Sequence, residues 1–475
     1  MTFVSNIFLF AFLPIALGTY YIVPDMAKEY MLLFCSLVFY SFGSFEYLSF
    51  FIVVCVLEVG LGRSLMRVEK PKVREYLFWC AVIGNIAILF HFKYISTILN
   101  AVFRLSGNSV VLGETLAPMG ISFFVFKAIS YLADVYTGKT KPTGSPVHDL
   151  LYLSVFTQIQ MGPISRIDDW KRPGKEGRLY SFDVALFSEG IWRFLIGFCK
   201  KILLADMFAR IANEVFATET AAISAGYAWL GSVCFSLQLF FDFAGYSDMA
   251  IGLCGMFGYR CKENFLYPYT TDSFGGFWKR WHVSLGEWFR DYVYIPLGGS
   301  RNEKKSRTYA NLLVVWILTG IWHGAGTTFL VWGLGWFLLI AMERHFGLDK
   351  RWKRKAGKVL YRIAILFVIN LLWIFFRAPS VTYAAGFTGR LFAFSGELLS
   401  GRRVWILLKT YWGFLVAGVL LCTPIVPYLE EKAKKNGKEH MCFAVVSTVL
   451  LLACFVWALS FVITAGYNPF AYMKF

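Results

Sequence analysis

The runs FWKRWH, residues 277–282, and LTGIWHG, residues 318–324, are the stretches around which the chain is organised. Each run places a histidine directly after a tryptophan, and these histidines, His282 and His323, are two of only 6 in the chain. Between the runs lie an aromatic and charged run, WFRDYVY at 288–294, and a basic loop at 301–307. Two such similar settings for so rare a residue require an explanation.

The composition is typical of a membrane protein. Of the 475 residues, 57% are hydrophobic and only 16% are charged, and the mean hydropathy is +0.56. Soluble domains are about 45–50% apolar with roughly a quarter of their residues charged, so a soluble fold would leave too much apolar surface uncovered. Because a crossing helix needs about 20 mostly apolar residues, the pattern predicts an all-α integral membrane protein with about 10–12 membrane helices.

The apolar runs predict where the chain crosses the membrane. Crossings are expected at 3–23, 31–61 (two helices, broken near 41–44), 77–97, 117–136, 186–205, 223–257, 311–325 and 327–343, and two or three more at 363–376, 406–427 and 442–464. The run 150–163 is too short for a crossing and predicts a re-entrant or buried segment. Residues 259–307 predict short interfacial or buried helices. No separate soluble domain is evident, so we expect one polytopic domain over residues 1–475.

The formal charge of +17 comes from basic clusters that lie between the apolar runs. This is the pattern of cytoplasmic loops under the positive-inside rule, and no motif typical of nucleic-acid binding emerges. The loops at 63–74, 344–362 and 432–438 are therefore predicted to be cytoplasmic, with both termini on the outer side. The apolar start, 3–23, has no preceding Lys or Arg, which favours a retained first helix over a cleaved signal peptide.

His282 and His323 are the candidates for acid–base chemistry. A neutral imidazole accepts a proton near physiological pH, which suits a general base that activates a hydroxyl for attack on an activated acyl group. The alternative is that both histidines only pack and hydrogen-bond among the tryptophans. Metal binding is not expected, because the two lie 41 residues apart without a Cys or carboxylate at ligand spacing, and the 10 cysteines are scattered.

Charged and aromatic residues around the histidines have two interpretations each. Asp242, inside an apolar run, is either a buried site residue or one partner of an ion pair between helices. The aromatic residues either line a passage for an acyl chain or simply pack. The basic residues either bind a phosphate-bearing acyl donor or are ordinary loop charges; they are Lys279, Arg280, Arg290, Arg301, Lys304, Lys305 and Arg307.

Several runs, in this order and spacing, resemble the membrane-bound O-acyltransferase (MBOAT) family. They are PMGISFF at 118–124, GP at 162–163, FDFAGYSD at 241–248, ENF at 263–265, FWKRWHVSL at 277–285, WFRDYVYIPLG at 288–298, LTGIWHG at 318–324 and NPF at 468–470. The resemblance covers most of the chain and is densest from 118 to 377. Within the family, the chain most resembles the bacterial members that O-acetylate polysaccharides, such as the membrane subunit that acetylates alginate.

The resemblance implies membrane helices around a central funnel in a bacterial plasma membrane. It implies that His323 and His282 are catalytic, with a cytoplasmic coenzyme A thioester, acetyl-CoA, as donor substrate and no permanently bound cofactor or metal. It also implies an exported polysaccharide as the acceptor and an extracytoplasmic partner of the SGNH or serine-esterase type. The residues expected to bind the donor or line the funnel are Asp242, Trp278, Lys279, Arg280, Trp281, Arg290, Asp291, Tyr292 and Trp322.

The mechanistic hypothesis makes His323 the general base on the incoming hydroxyl, while His282 orients that hydroxyl or stabilises the developing oxyanion. Transfer of D-alanine to teichoic acid and O-acetylation of peptidoglycan are the alternative reactions. A transporter is the alternative from another class, with Asp242 and Asp248 as coupling-ion sites. No repeat of broken helices supports the transporter.

Overall fold

A computed structural model describes residues 1–106, 113, 117–170, 182–301, 304–352, 354–393, 398–465 and 470. Within these ranges the chain forms helices and turns and no strand. The predicted all-α class is therefore confirmed.

The α-helices are numbered along the chain. They are α1 (Leu13–Ile22), α2 (Lys28–Ser44), α3 (Leu48–Arg67), α4 (Pro71–Leu105), α5 (Ile121–Tyr136), α6 (Pro146–Ser154), α7 (Phe156–Ile159), α8 (Val184–Cys199), α9 (Asp206–Phe216), α10 (Ala225–Met256), α11 (Phe274–Trp278), α12 (Val283–Phe289), α13 (Lys305–His323), α14 (Thr327–Phe346), α15 (Leu348–Arg351), α16 (Lys355–Arg377), α17 (Val381–Arg390), α18 (Leu398–Leu421), α19 (Ile425–Ala433) and α20 (Gly437–Ala465). Turns of π-helix lie at Phe8–Phe12, Lys200–Ala205 and Arg290–Tyr294.

In the described part of the chain, seven helical stretches are long and apolar enough to cross a bilayer. They are Asp25–Arg67, Pro71–Leu105, Ala225–Met256, Thr327–Phe346, Lys355–Arg377, Gly401–Leu421 and Gly437–Thr464. The first contains both α2 and α3, joined by a 3-10 turn at Phe45–Tyr47, next to the predicted break. The other predicted crossings correspond to shorter or less apolar helices, among them α5 with 16 residues and α13 with 19. The chain is a multi-pass membrane protein.

Two predicted crossings have the wrong boundaries. The crossing at 77–97 is part of the 35-residue helix α4, whose first turn is anchored because Arg74 donates to the carbonyl oxygens of Val135 and Tyr136. The crossing at 186–205 does not end at its lysines. The helical path continues through a π-turn into α9, because Lys201 is buried and neutralised by aspartates.

The chain forms two compact units. Unit 1 comprises residues 1–194, 247–263 and 287–292, and unit 2 comprises residues 195–246, 264–286 and 293–475. The expectation of a single domain over residues 1–475 stays a prediction.

In unit 1, the segment predicted to be re-entrant or buried consists of the short helices α6 and α7, and residues 151–167 are buried throughout. A tight turn before α5 packs against this segment. Gly120 has φ +69°, a conformation that favours glycine, and a side chain there would collide with the backbone carbonyl of Ile159. The Pro-x-Gly run at 118–120 is therefore a turn, and α5 begins directly after it.

In unit 2, helices α13 and α14 form a hairpin with an unusually close backbone contact. A Cβ atom on Gly320 would lie 2.6 Å from the carbonyl oxygen of Phe329, and one on Gly333 would lie 2.5 Å from that of Trp316. Small residues permit such close contacts between membrane helices. Since Gly320 lies one helical turn before His323, the contact fixes where that histidine lies.

Candidate active site

His323 is the last residue of α13 and is 4% exposed. Its ring lies among aromatic rings of α14 and α16. The ring-centroid distances are 5.0 Å to Trp332 and 4.9 Å to Phe376, both perpendicular, and 6.2 Å to Phe329. The carbonyl groups at a helix C-terminus favour nearby positive charge. The position therefore suits an imidazole that becomes charged when it accepts a proton.

His282 lies in the turn between α11 and α12 and is 1% exposed. Its φ of +46° is in the left-handed region, which costs a non-glycine residue about 1–2 kcal/mol. Histidine, asparagine and aspartate are the side chains most often found there. A residue stays in this conformation only where contacts with the surrounding structure hold it there, and such positions concentrate at functional sites.

The side chain of Asn264 holds this turn. Its amide oxygen accepts from the backbone N–H of Ser284 at 3.2 Å and from the Ser284 hydroxyl at 2.9 Å, and it lies 3.3 Å from Nδ1 of His282. Two backbone bonds flank these contacts: the N–H of Val283 donates to the carbonyl of Asn264, and that of Leu266 donates to the carbonyl of Arg280.

Burial lowers the pKa of His282 to about 3. The charged imidazolium loses its hydration in this position, so the neutral ring is favoured. A general base works best with a pKa near the working pH. His282 is therefore a hydrogen-bonding group in this structure and a poor proton acceptor.

The two histidines share one neighbour, Trp322. Its ring centroid lies 6.3 Å from that of His282 and 4.8 Å from that of His323. In the sequence, the two Trp-His pairs are related only by their similarity. In the fold, both histidines lie next to the same indole ring.

Trp278 and Trp281 belong to a cluster of stacked and perpendicular rings in unit 2. Trp281 stacks on Phe277 at 5.5 Å and lies 5.0 Å from Trp373, while Trp278 lies 5.0 Å from Trp336. Such packing fixes the FWKRWH segment rigidly, and the passage-lining role expected for these tryptophans stays a prediction.

A carboxylate from α14 caps the short helix α11, and no local sequence pattern predicts this contact. Both oxygens of Glu343 accept from backbone N–H groups, those of Phe274 at 2.8 Å and Gly275 at 2.9 Å, and one also accepts from the Tyr361 hydroxyl at 2.7 Å. A carboxylate at a helix N-terminus satisfies N–H groups without helical partners.

The two basic residues of the FWKRWH segment differ in setting. Lys279 is exposed, whereas Arg280 is half-buried and donates to the Thr270 hydroxyl at 2.9 Å. Of the basic loop at 301–307, residues 302 and 303 lie outside the described residues. The anion-binding role of these side chains stays a prediction.

Asp242 forms an ion pair between helices. The ammonium group of Lys201 lies 2.7 Å from a carboxylate oxygen of Asp242 and 2.8 Å from one of Asp206, and all three side chains are buried. The ring of Phe470 lies 4.6 Å from the same ammonium. This geometry matches the ion-pair interpretation of Asp242. Asn468 and Pro469, which precede Phe470 in the NPF run, lie outside the described residues.

Arg290, Asp291 and Tyr292 belong to unit 1, where they join a network that sequence reasoning missed. Asp291 pairs with Arg290 at 2.8 Å and with Arg166 at 3.3 Å, and the Tyr292 hydroxyl donates to Asp134 at 2.8 Å. Burial alone would oppose ionisation, but the hydrogen bonds from the two guanidinium groups hold the pKa of Asp291 below its usual value.

The sequence profile of the membrane-bound O-acyltransferase family matches residues 145–384, about half of the chain. The chain is 36% identical to the probable alginate O-acetylase AlgI of Pseudomonas putida over all of both chains. The chain therefore belongs to the membrane-bound O-acyltransferase family, and it is an O-acyltransferase.

Two further relatives carry other names. The peptidoglycan O-acetyltransferase of Helicobacter pylori is 31% identical, with 81% of this chain and 78% of the relative covered. The teichoic acid D-alanyltransferase of Bacillus subtilis is 30% identical over 50% of this chain and 60% of the relative. These names describe different acceptors, so the acceptor does not follow from the family alone.

Proposed function

We propose that this enzyme moves an acetyl group from cytoplasmic acetyl-CoA toward a polysaccharide exported through a bacterial plasma membrane. The observation that carries the proposal is the pair of buried histidines that both lie next to Trp322, in a chain similar over its whole length to a probable alginate O-acetylase.

In the proposed reaction, His323 is the general base. It takes the proton of the acceptor hydroxyl while the hydroxyl oxygen attacks the thioester carbonyl carbon. The C–S bond then breaks, and the imidazolium returns the proton to the leaving thiolate, which departs as free coenzyme A. The helix C-terminus and the surrounding rings favour this role, since they stabilise a transient charge and exclude water.

His282 accepts a hydrogen bond from a second polar group of the acceptor, next to the attacking hydroxyl, and so orients that hydroxyl. Of the two roles considered for it, this one agrees better with a neutral ring whose Nδ1 faces the oxygen of Asn264. Orientation is valuable because the reacting atoms must approach within about 3–3.5 Å for transfer.

The donor enters from the cytoplasm and the acceptor lies outside, with both chain termini on the outer side. The basic loop at 63–74 supports this orientation under the positive-inside rule. The predicted funnel provides the passage. An extracytoplasmic partner of the serine-esterase type then moves the acetyl group from this first acceptor hydroxyl to a hydroxyl of the polysaccharide.

The test compares two histidines that each lie in the last turn of a membrane helix. His323→Ala should abolish O-acetyl esters on surface polysaccharide, whereas His345→Ala should not, because His345 is exposed at the end of α14. Base-released acetate per cell is measured, with protein accumulation checked by immunoblot. Wild-type acetate from an accumulated His323→Ala protein would contradict the role.

O-acetylation of peptidoglycan is the second candidate function, favoured by the similarity to the Helicobacter pylori enzyme over 81% of this chain. Separation of sacculi from soluble polysaccharide before base release distinguishes the two. Acetate found only on purified sacculi would replace the polysaccharide by peptidoglycan as the acceptor.

A further inference from the structure

We propose that Asn264 is a positioning residue that holds His282 in one tautomer and in its left-handed backbone conformation. The proposal rests on the proposed function, in which His282 orients the acceptor hydroxyl. Asn264 itself is fully buried, and its side chain acts on the reaction only through the histidine.

The identity of the amide atom that faces His282 follows from its other partners. The backbone N–H of Ser284 can only donate, and it lies 3.2 Å from the same atom, so that atom is the amide oxygen. Nδ1 of His282, 3.3 Å away, therefore carries the hydrogen and donates. In a neutral imidazole the other nitrogen, Nε2, then carries the lone pair and accepts.

The same asparagine fixes the backbone of the turn. Its own carbonyl oxygen accepts from the N–H of Val283 at 3.0 Å, and the neighbouring N–H of Leu266 donates to the carbonyl of Arg280 at 2.9 Å. The segments before and after His282 are thus tied to residues 264–266. These bonds, together with those of the Asn264 side chain, offset the conformational cost of the positive φ at His282.

The charges near His282 decide what an Asn264→Asp substitution would do. The charged residues on the elements next to His282 include carboxylates, basic residues and the second histidine: Asp242 and Asp248 on α10, Glu287 on α12, Glu263 before Asn264, His323 on α13, and Lys279 and Arg280 on its own segment. Asp248 and Glu263 are both paired with Arg193. Asp242 is paired with Lys201, and Arg280 donates to Thr270. An Asn264→Asp change therefore places a new carboxylate beside the imidazole at almost unchanged volume. The imidazolium becomes its natural partner, and Nε2 loses its lone pair.

The experiment uses the full chain in detergent or nanodiscs, with acetyl-CoA as the donor and de-O-acetylated surface polysaccharide as the acceptor. Release of free thiol is measured from about pH 5 to about pH 9. Asn264→Asp should lower kcat at neutral pH by at least about tenfold and recover at high pH as the imidazolium loses its proton. KM for acetyl-CoA should stay near the wild-type value, because the asparagine does not touch the donor.

Asn370→Asp is the matched control. Asn370 is also buried and hydrogen-bonded, to Ser232 and Ser236, and its described contacts include no histidine. It should keep the wild-type pH profile. A wild-type profile and kcat in Asn264→Asp, or the same altered profile in both variants, would overturn the proposal.

Ser284→Ala is the milder variant for the case in which Asn264→Asp does not accumulate. It removes one of the three groups that face the amide oxygen and leaves the backbone N–H of residue 284 in place. A kcat loss of about threefold at constant KM is expected, and an unchanged kcat would count against the proposal.

A thermal unfolding series gives a readout that does not need catalysis. Wild-type His282 favours folding more at neutral than at acid pH, because its pKa is depressed. A carboxylate partner reverses the sign, so the stability of Asn264→Asp relative to wild type should rise as the pH falls from about 8 to about 5. No reversal would overturn the positioning role. If the wild type releases no thiol, the proposed donor is contradicted. The thermal unfolding series then tests the role of Asn264 by itself.

Discussion

His323 ends a helix of 19 residues, whereas His282 lies in a turn between helices of 5 and 7 residues. Both follow a tryptophan and both are buried, yet their polar surroundings differ. Rings of α14 and α16 surround His323 at a helix C-terminus, while Asn264 and Ser284 hold His282 in a left-handed conformation. The comparison shows that one sequence pattern, Trp-His, occurs in two different backbone settings, and the roles proposed for the two histidines differ accordingly.

The largest expected effect separates these roles directly. His323→Gln should lower thioester turnover by about 10²–10⁴-fold, because glutamine cannot act as a general base. His282→Asn should cost only about tenfold, since asparagine tolerates a positive φ and its amide oxygen still accepts a hydrogen bond. Steady-state turnover of acetyl-CoA by the purified variants measures both. Equal losses would mean that the two histidines act as one unit.

The close contact between α13 and α14 predicts the next largest effect. Gly320→Ala should destabilise the protein by about 1–3 kcal/mol and lower activity, because the new methyl group meets a backbone carbonyl that cannot rotate away. Gly84→Ala in α4 is the control, with nothing within 4 Å of the added atom. Thermal unfolding and turnover are compared. A stable, active Gly320→Ala enzyme would show that the position of His323 does not depend on this contact.

Acid should lower the contribution of His282 to the free energy of unfolding. The pKa of His282 lies near 3 in the folded state and near 6.5 in the unfolded state. The stability that this difference contributes is therefore fully present above pH 6.5 and is lost as the pH falls. Between pH 6.5 and 5 the loss is about 2 kcal/mol. Unfolding of wild type and His282→Asn across this range isolates the contribution, and parallel curves would contradict it.

Lys279 should show the smallest effect. It is exposed, so Lys279→Ala should change stability by less than about 0.5 kcal/mol. If the side chain attracts the phosphates of the donor, KM for acetyl-CoA should rise a few-fold at low salt and converge with wild type at high salt. A KM that is unchanged at low salt would assign Lys279 to ordinary loop charge.

The sequence predicted the elements better than the contacts between them. Periodicity and length located α10, α14 and α20, and the Trp-His runs identified both histidines, because these signals are local in the chain. The pairing of Asn264 with His282 spans 18 residues and requires the turn geometry. Lys201 resembled a helix-end charge until the fold placed it against Asp242, 41 positions away.

The split of the expected funnel-lining residues is the clearest example of this limit. Asp291 lies only nine positions after His282, yet it belongs to unit 1, paired with Arg166, whereas His282 belongs to unit 2. Sequence proximity suggested one cluster. Long-range packing assigns the residues to separate compact units, and no local pattern encodes that assignment.

Glu343 also determines how the FWKRWH segment moves. A helix as short as α11 would fray rapidly in isolation, but Glu343 on α14 binds the backbone N–H groups of Phe274 and Gly275 and also the hydroxyl of Tyr361 on α16. These two amide hydrogens should therefore exchange with solvent as slowly as those inside the long helices. We therefore expect the stretch that leads to His282 to open only when these contacts with the two membrane helices break.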